Sequence, residues 1–489
     1  MTASMTSFRA GLLAALPGVL AAALLLVAQL PNDPSPGVTF SESPWTDEAW
    51  SALGARNLVV LGTWATDDFR AYLVQLPLHV ALVGVFEIFG VGIIQARSLS
   101  VVLSVATVAL AALLVARQFG RTSGIVTGIG LATSALLLYY GRLAYLEPMV
   151  TFALVAGLAA LVVGPDRRWL SAGVAGGTLL AIAIGTKPSA FAAVAGILGG
   201  AVLASRPGSG RTGRRVGVAV AVIAAAGLGW GLLVALPNRD AIETTFRFWP
   251  QQELPGTLAE GFTRISRYAE ASDGANLLAL PLYLAAGVGI VLAWSRWRNL
   301  APSQRTLIGG AVGWVLLGML LIVLSAYRPN RYVVPMLPGL AILGGIGASL
   351  LLGRLRVTGS RRPMLAGVIA LALAAPGVAL WSGWMTSATA GLPTIQAEVL
   401  DIIDDGAAVE GGVSPAFAMR APVPTLLTRP RIGINEGDMY VSHGVRWLVA
   451  DETYTPWWTT LHPEAWEARE TVRCWRWGRD DNECLIRIP

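Results

Sequence analysis

Two adjacent acids, Asp47 and Glu48 in "SPWTDEAW", stand just past the first long apolar run of a 489-residue chain. A third acid, Glu147, lies in "GRLAYLEPMVTF", and three cations follow: Lys187 in "GTKPSAF", then Arg328 and Arg331 in "AYRPNRYVVP". A carboxylate can take the proton of an attacking hydroxyl. Cations can hold a phosphate and stabilise the charge it carries as it leaves. Together they suit a group transfer from a phosphate to a hydroxyl. Each residue also has a plainer reading. Acids in a first helical turn complement the helix dipole, and Glu147 before Pro148 fits that description too. Arg142, one short loop from Glu147, is a candidate charge partner or site wall. Lys187 is the sole lysine among 36 basic residues. At a helix start it opposes the dipole, so a bound anion explains it better than helix stability does; snorkelling at an interface is the alternative. For the Arg328–Arg331 loop, with Tyr332 beside it, phosphate or acid pairing competes with lipid headgroup contact. His79 is a further candidate for the wall.

The elements that must position these groups are membrane helices. Hydrophobic residues make up 54% of the chain and charged residues 13%, which excludes a solvated globular protein. Apolar runs able to cross about 30 Å of hydrocarbon recur near residues 11–30, 98–116, 122–140, 146–164, 169–186 and 189–204. Others lie near 215–236, 276–295, 306–326, 332–352 and 363–382. That gives about eleven spans. Alternate loops read "RQFGR", "PDRR", "SRPGSGRTGRR", "SRWRNLAPSQR" and "GRLRVTGSRR", with Asp166 their only acid. The positive-inside rule puts them in the cytoplasm with the N-terminus. The expectation is a multi-pass protein of a bacterial inner membrane, its candidate residues and C-terminal part outside. The net charge of +6 is then an insertion signal, and no nucleic acid is implied.

Residues 1–384 form the expected transmembrane domain. Within it, outer loop 31–97 is too long for a plain connector. "DEAWSALGARNLVVLG" reads as an amphipathic interfacial helix with Trp50, Leu53, Leu58 and Leu61 on one face. Segment 74–93 reads as a second, interfacial or re-entrant helix. Residues 385–489 read as a small extracytoplasmic α/β domain: a helix in "PTIQAEVLDIID", a strand in "VRWLVAD", and a Trp-rich end where core packing outweighs sugar stacking. Cys474 and Cys484 are placed to form a disulfide there. No nucleotide loop or zinc signature is present. Two adjacent acids could ligate a divalent ion, but no sufficient ligand set is visible, so no cofactor is expected. A transporter or lipid flippase would also have many spans, yet would carry its charges near the midplane, often within repeats.

In their order, "DEAWSALGARNLVVLGTW", "QLPLHVALVGVFEIFGVGIIQARSLS", "GRLAYLEPMVTF", "GTKPSAF" and "RPNRYVVPMLPGLAIL" resemble the C-type, polyprenyl-phosphate-dependent glycosyltransferases. The likeness is to the protein O-mannosyltransferase and lipid A aminoarabinose-transferase group, over about residues 40–340. It implies a hexosyl- or pentosyltransferase that moves a sugar from a polyprenyl-phosphate donor, among membrane lipids, to an extracytoplasmic acceptor with inversion. It makes Asp47 the general base, with Glu48 and Glu147 as further site acids, and gives the donor phosphate to Lys187, Arg328 and Arg331. One departure stands out: where the family often has Lys-Pro-Pro, this chain has Gln75, Leu76 and Pro77, which moves phosphate binding toward Lys187.

Overall fold

In hydrocarbon, a backbone must satisfy its own hydrogen bonds, and apolar runs do so as helices. The computed structural model describes residues 2–34, 46–163, 168–205, 210–247, 255–270, 274–326, 329–359, 361–403, 406–428, 439–450, 455–477 and 481–489. Every expected span is helical there. Among the described residues, seven helices are long and apolar enough to cross a membrane, including Ile93–Phe119, Pro302–Leu324 and Arg361–Met385. Four shorter apolar helices join them: Gly11–Val27, Leu76–Phe89, Glu147–Val162 and Ala190–Ala204. The chain is thus a multi-pass helical membrane protein with a small C-terminal sheet.

Two expected boundaries change. The span expected at 122–140 is split into Arg121–Ala132 and Ala135–Tyr140. The Thr133 hydroxyl turns back to the Ile129 carbonyl at 2.7 Å, and the Thr133 carbonyl packs against Gly377, where any Cβ would sit 1.8 Å from its oxygen. A hydroxyl bonding back to its own helix favours such a break. The long first loop also ends earlier, because the next span begins at Ile93.

Inside that loop, Thr46–Leu61 is a helix with Asp47 and Glu48 in its first turn. It ends at Gly62, whose φ of 72° is the left-handed conformation that closes many helices. Residues 51–57 are all buried, between Leu76–Phe89 on one side and the C-terminal unit on the other. The reason is Arg56, fully buried, whose guanidinium donates to the carbonyls of Ala418 (3.3 Å), Met419 (3.2 Å), Val423 (2.7 Å) and Ala421. An amphipathic reading assigns that arginine to water, whereas here it is the plug of a carbonyl socket. The Leu76–Phe89 helix has 14 residues; at 1.5 Å per residue it is too short to cross about 30 Å unaided.

The C-terminal unit carries a five-stranded sheet in the order β2-β1-β3-β5-β4. Its strands are β1 Ala408–Gly411, β2 Thr425–Leu427, β3 Val445–Ala450, β4 Glu470–Trp477 and β5 Asp481–Arg487. β1 runs parallel to β2 and β3; β5 is antiparallel to β3 and β4. Cys474 faces Cys484 across β4 and β5, and the two form the expected disulfide. Trp447, Trp458 and Trp475 are core residues. The open edge of β2 is covered by the first loop: Asp67 accepts the Leu427 N–H at 3.0 Å, and Thr66 donates to the Thr425 carbonyl at 2.9 Å. Ala52, Leu82 and Phe86 of the loop share one core with Val409, Phe417 and Leu485 of the sheet unit.

Arg56→Ala would take the donor from the buried carbonyls of Met419, Ala421 and Val423, while Ala418 keeps the Ala421 N–H. Each unsatisfied acceptor costs about 1–3 kcal/mol. The expected outcome is a less stable protein whose amides around 418–423 exchange hydrogen faster, read by mass spectrometry. Unchanged exchange there would show that the socket does not hold the unit.

Candidate active site

Local sequence delivers each charged side chain to one end of the helix bundle. Pro188 disfavours helical geometry at the preceding residue, so Lys187 leaves the Trp169–Thr186 helix extended, at φ −149° and ψ 109°. Its side chain then reaches sideways to Glu147, which opens the Glu147–Val162 helix with Pro148 behind it. Arg331 lies in the 3₁₀ turn Asn330–Met336 before the Leu337–Arg354 span. Asp47 comes from the buried loop helix.

These four side chains form an alternating row. Asp47 Oδ2 is 2.8 Å from Arg331 Nη1. Arg331 Nε is 3.8 Å from Glu147 Oε1, and Lys187 Nζ donates to the same Glu147 oxygen at 2.6 Å. Aromatic rings frame the cations: Lys187 Nζ is 3.6 Å from the centre of the Tyr332 ring, and Arg331 is 5.6 Å from both Tyr145 and Tyr332. Two positive and two negative charges leave the row neutral. Exposure separates the acids. The Asp47 side chain is 33% exposed and that of Glu147 is 2% exposed, so Asp47 can meet an incoming group while Glu147 is committed to the cations.

Burial, with help from Arg331, pushes the Lys187 ammonium below the usual lysine range, against the opposing pull of Glu147. Burial, then Asp47 and Glu48, keeps the Tyr145 phenol protonated well above its ordinary range. Beside the row, a narrow cleft of ≈ 60 Å³ is lined by Lys187, Tyr332, Val150, Leu321, Ile322 and Met336. It adjoins the Ala190–Ala204 and Pro302–Leu324 helices, which touch through glycines: a Cβ on Gly196 would sit 2.0 Å from the Gly313 carbonyl.

Other candidates fall elsewhere. Glu48 is fully buried, both oxygens held by Arg97 at 2.8 Å, so it has no free face toward a substrate. Arg142 pairs neither with Glu147 nor with the row. It is fully buried, bonded to Gln29 (3.2 Å) and to the carbonyls of Asn32 and Asp33, and lies 5.0 Å from the Trp384 ring. The reason is the turn after the first helix, which presents carbonyls where Glu147 would otherwise be met. His79 packs against Gly54 and the edge of Tyr72, between the two loop helices rather than on the site wall. Tyr332 is at the site. Arg328 lies outside the described residues. The sequence reading missed Tyr145, two residues before Glu147, and Arg97, in "QARSLS". Arg97 opens a span from within apolar surroundings, and that isolation was its signal. Among the described residues no group of three or more His, Cys, Asp or Glu is placed to hold a metal ion.

Residues 78–230 match the family model of the dolichyl-phosphate-mannose-protein mannosyltransferases, a stretch that includes Glu147 and Lys187. The fold is that of C-type glycosyltransferases. ArnT from Cupriavidus metallidurans, solved bound to undecaprenyl phosphate, superposes with a TM-score of 0.61 at 16% identity, covering 96% of this chain and 97% of that one. The archaeal oligosaccharyltransferase AglB from Archaeoglobus fulgidus, in complex with an inhibitory peptide and a dolichol-phosphate, gives 0.53 at 12%, covering 89% and 69%. The mycobacterial arabinofuranosyltransferase AftD gives 0.53 at 16%, covering 96% of this chain and 39% of its own. No curated protein matches by sequence. The resemblance carried by the sequence motifs therefore holds.

Because Lys187 sits below its ordinary value of 10.5, it loses its charge earlier than a free lysine as pH rises. A phosphate that needs the ammonium is bound below that lowered value and released as pH climbs through it. Titration of short-chain prenyl phosphate into purified protein should show this alkaline loss. Lys187→Arg should remove it, because guanidinium stays protonated. Lys187→Ala should weaken binding about tenfold or more below the lowered value, the scale of one charged hydrogen bond. An alkaline loss that survives Lys187→Arg would assign it to another group.

Proposed function

We propose that the protein is an integral-membrane glycosyltransferase that takes a sugar from a polyprenyl-phosphate donor and delivers it to an acceptor hydroxyl on the outer face of the membrane. The observation that carries this reading is the neutral row Asp47–Arg331–Glu147–Lys187. It places an accessible acid beside two cations at the mouth of a mostly apolar cleft. The fold shared with ArnT, whose structure holds undecaprenyl phosphate, supports it.

The chemistry follows from the groups. The donor phosphate takes Lys187 and Arg331 as partners, and its prenyl chain lies against the cleft residues of the helices. The acceptor hydroxyl approaches from the exposed side, where Asp47 removes its proton. The acceptor oxygen bonds to the anomeric carbon as the bond from that carbon to the phosphate oxygen breaks, so one displacement inverts the centre. The electron pair leaves with the phosphate, whose added negative charge falls on the two cations. No acid is needed for departure, since a phosphate monoester is already a stable anion. Glu147 competes with the resting phosphate for Lys187 and Arg331 but holds the two cations at the spacing that the departing phosphate needs in the transition state.

Asp47 and Glu48 are then unequal. Asp47→Asn should fold, bind the prenyl phosphate and lose at least roughly a hundredfold in turnover, the lower range of general-base contributions. Glu48→Gln should act through geometry, with a smaller loss. The comparison is transfer by purified, equally stable variants from a defined polyprenyl-phosphate sugar. Near-normal turnover by Asp47→Asn would reduce both acids to caps of the loop helix.

A further inference from the structure

Glu48 follows Asp47 in the same helical turn, so whatever fixes the Glu48 carboxylate also fixes the direction of Asp47. Arg97 grips it with two bonds of 2.8 Å, neither side chain exposed, and the Ala144 N–H adds a third at 2.9 Å. The remaining Arg97 nitrogen, Nη1, turns away from the site. It donates to the carbonyls of Leu30 (3.1 Å) and Asn32 (2.9 Å), in the strap that follows the first helix. Arg142 holds the same strap at Asn32 and Asp33. At its far end the Asp33 carboxylate accepts the N–H groups of Gly391 (2.7 Å) and Leu392 (3.1 Å) and the Thr389 hydroxyl (2.8 Å). Those amides open the helix Gly391–Ile402, the first element of the C-terminal unit.

We propose that Arg97 is a positioning residue for Asp47, and that the 30–33 strap makes turnover depend on how the Gly391–Ile402 helix is docked. A buried ion pair is a poor way to gain stability, since well-packed apolar side chains of similar volume often serve as well or better. Beside a catalytic carboxylate it does something apolar packing does not, which is to fix one orientation through two parallel bonds. Misplacement by about 1 Å can cost about a hundredfold in rate, so the unbroken path from Asp33 to Asp47 carries weight. This inference rests on Asp47 being the base.

The test uses the full-length protein with Asp33→Asn, which keeps shape but sets an amide against the helix N–H groups, and with Arg97→Lys, which keeps charge but not the fork. Both should lower kcat by about tenfold while donor KM stays within about twofold, and hydrogen exchange at Gly391 and Leu392 should rise in Asp33→Asn. In an Asp47→Asn background neither change should cost anything further, the non-additivity expected of residues that act as one unit. Unchanged kcat in Arg97→Lys, or loosened Gly391 and Leu392 amides with unchanged kcat, would overturn the proposal. So would an equal further loss in the Asp47→Asn background. If Asp47→Asn alone is fully active, the base assignment fails instead, and the two failures are distinguished.

Discussion

Charge taken out of water must be paired, and near a membrane it must be paired closely. Removing one partner of a buried pair leaves an uncompensated ion at a cost of about 3–5 kcal/mol. Glu147 and Lys187 are both nearly buried, at 2% and 11% side-chain exposure, so each depends on the charges beside it. Much of the site end of the molecule follows from that constraint. The Pro188 break has to turn Lys187 toward Glu147, the 3₁₀ turn has to bring Arg331 between two acids, and the loop helix has to supply Asp47 to finish the row. A neutral row has a second property. An anionic phosphate arriving at it competes with the acids already bound to Lys187 and Arg331, so the ground state is preorganised rather than unoccupied charge waiting for a ligand.

The long first loop and the C-terminal unit are interdependent. Arg56 closes the carbonyls of 418–423, Asp67 and Thr66 cover the edge of β2, and their apolar residues share one core. A loop of that length on a membrane surface would lose its register against the spans without such support. Here the sheet unit holds the helix that carries Asp47, so a small domain remote from any membrane chemistry contributes to the geometry of the site.

The helices and the charged set could be read from the sequence because hydropathy and charge pattern act locally. Lys187 is the exception: expected at the start of a helix and against its dipole, it instead caps the C-terminus of Trp169–Thr186, where the dipole favours a cation. Pro188 holds it extended, and the next helix begins only at Ala190. The roles of Arg142 and Arg97 could not be read in that way. Arg142 is one loop from Glu147 in sequence, yet carbonyls 109 and 110 residues away take its nitrogens. The Glu48–Arg97 pair spans 49 residues, and nothing in either local segment points to the other. The burial of the loop helix could not be read for a similar reason. Its apolar spacing is real, but the partner on its polar face is the carbonyl socket at 418–423, more than 360 residues on. Periodicity identifies a face without identifying what covers it.

The most direct measurement of whether the charged row is the phosphate seat is equilibrium binding of a short-chain prenyl phosphate to Glu147→Gln beside the unaltered protein. In the free protein Glu147 occupies Lys187 at 2.6 Å. Neutralising it removes a competitor for that cation while keeping the side chain's shape. Affinity should rise several-fold, on the order of 1 kcal/mol for a hydrogen bond released to the ligand, while transfer falls because the cations are no longer held at their spacing. An affinity that is unchanged or lower in a folded Glu147→Gln protein would contradict the account and place the phosphate elsewhere.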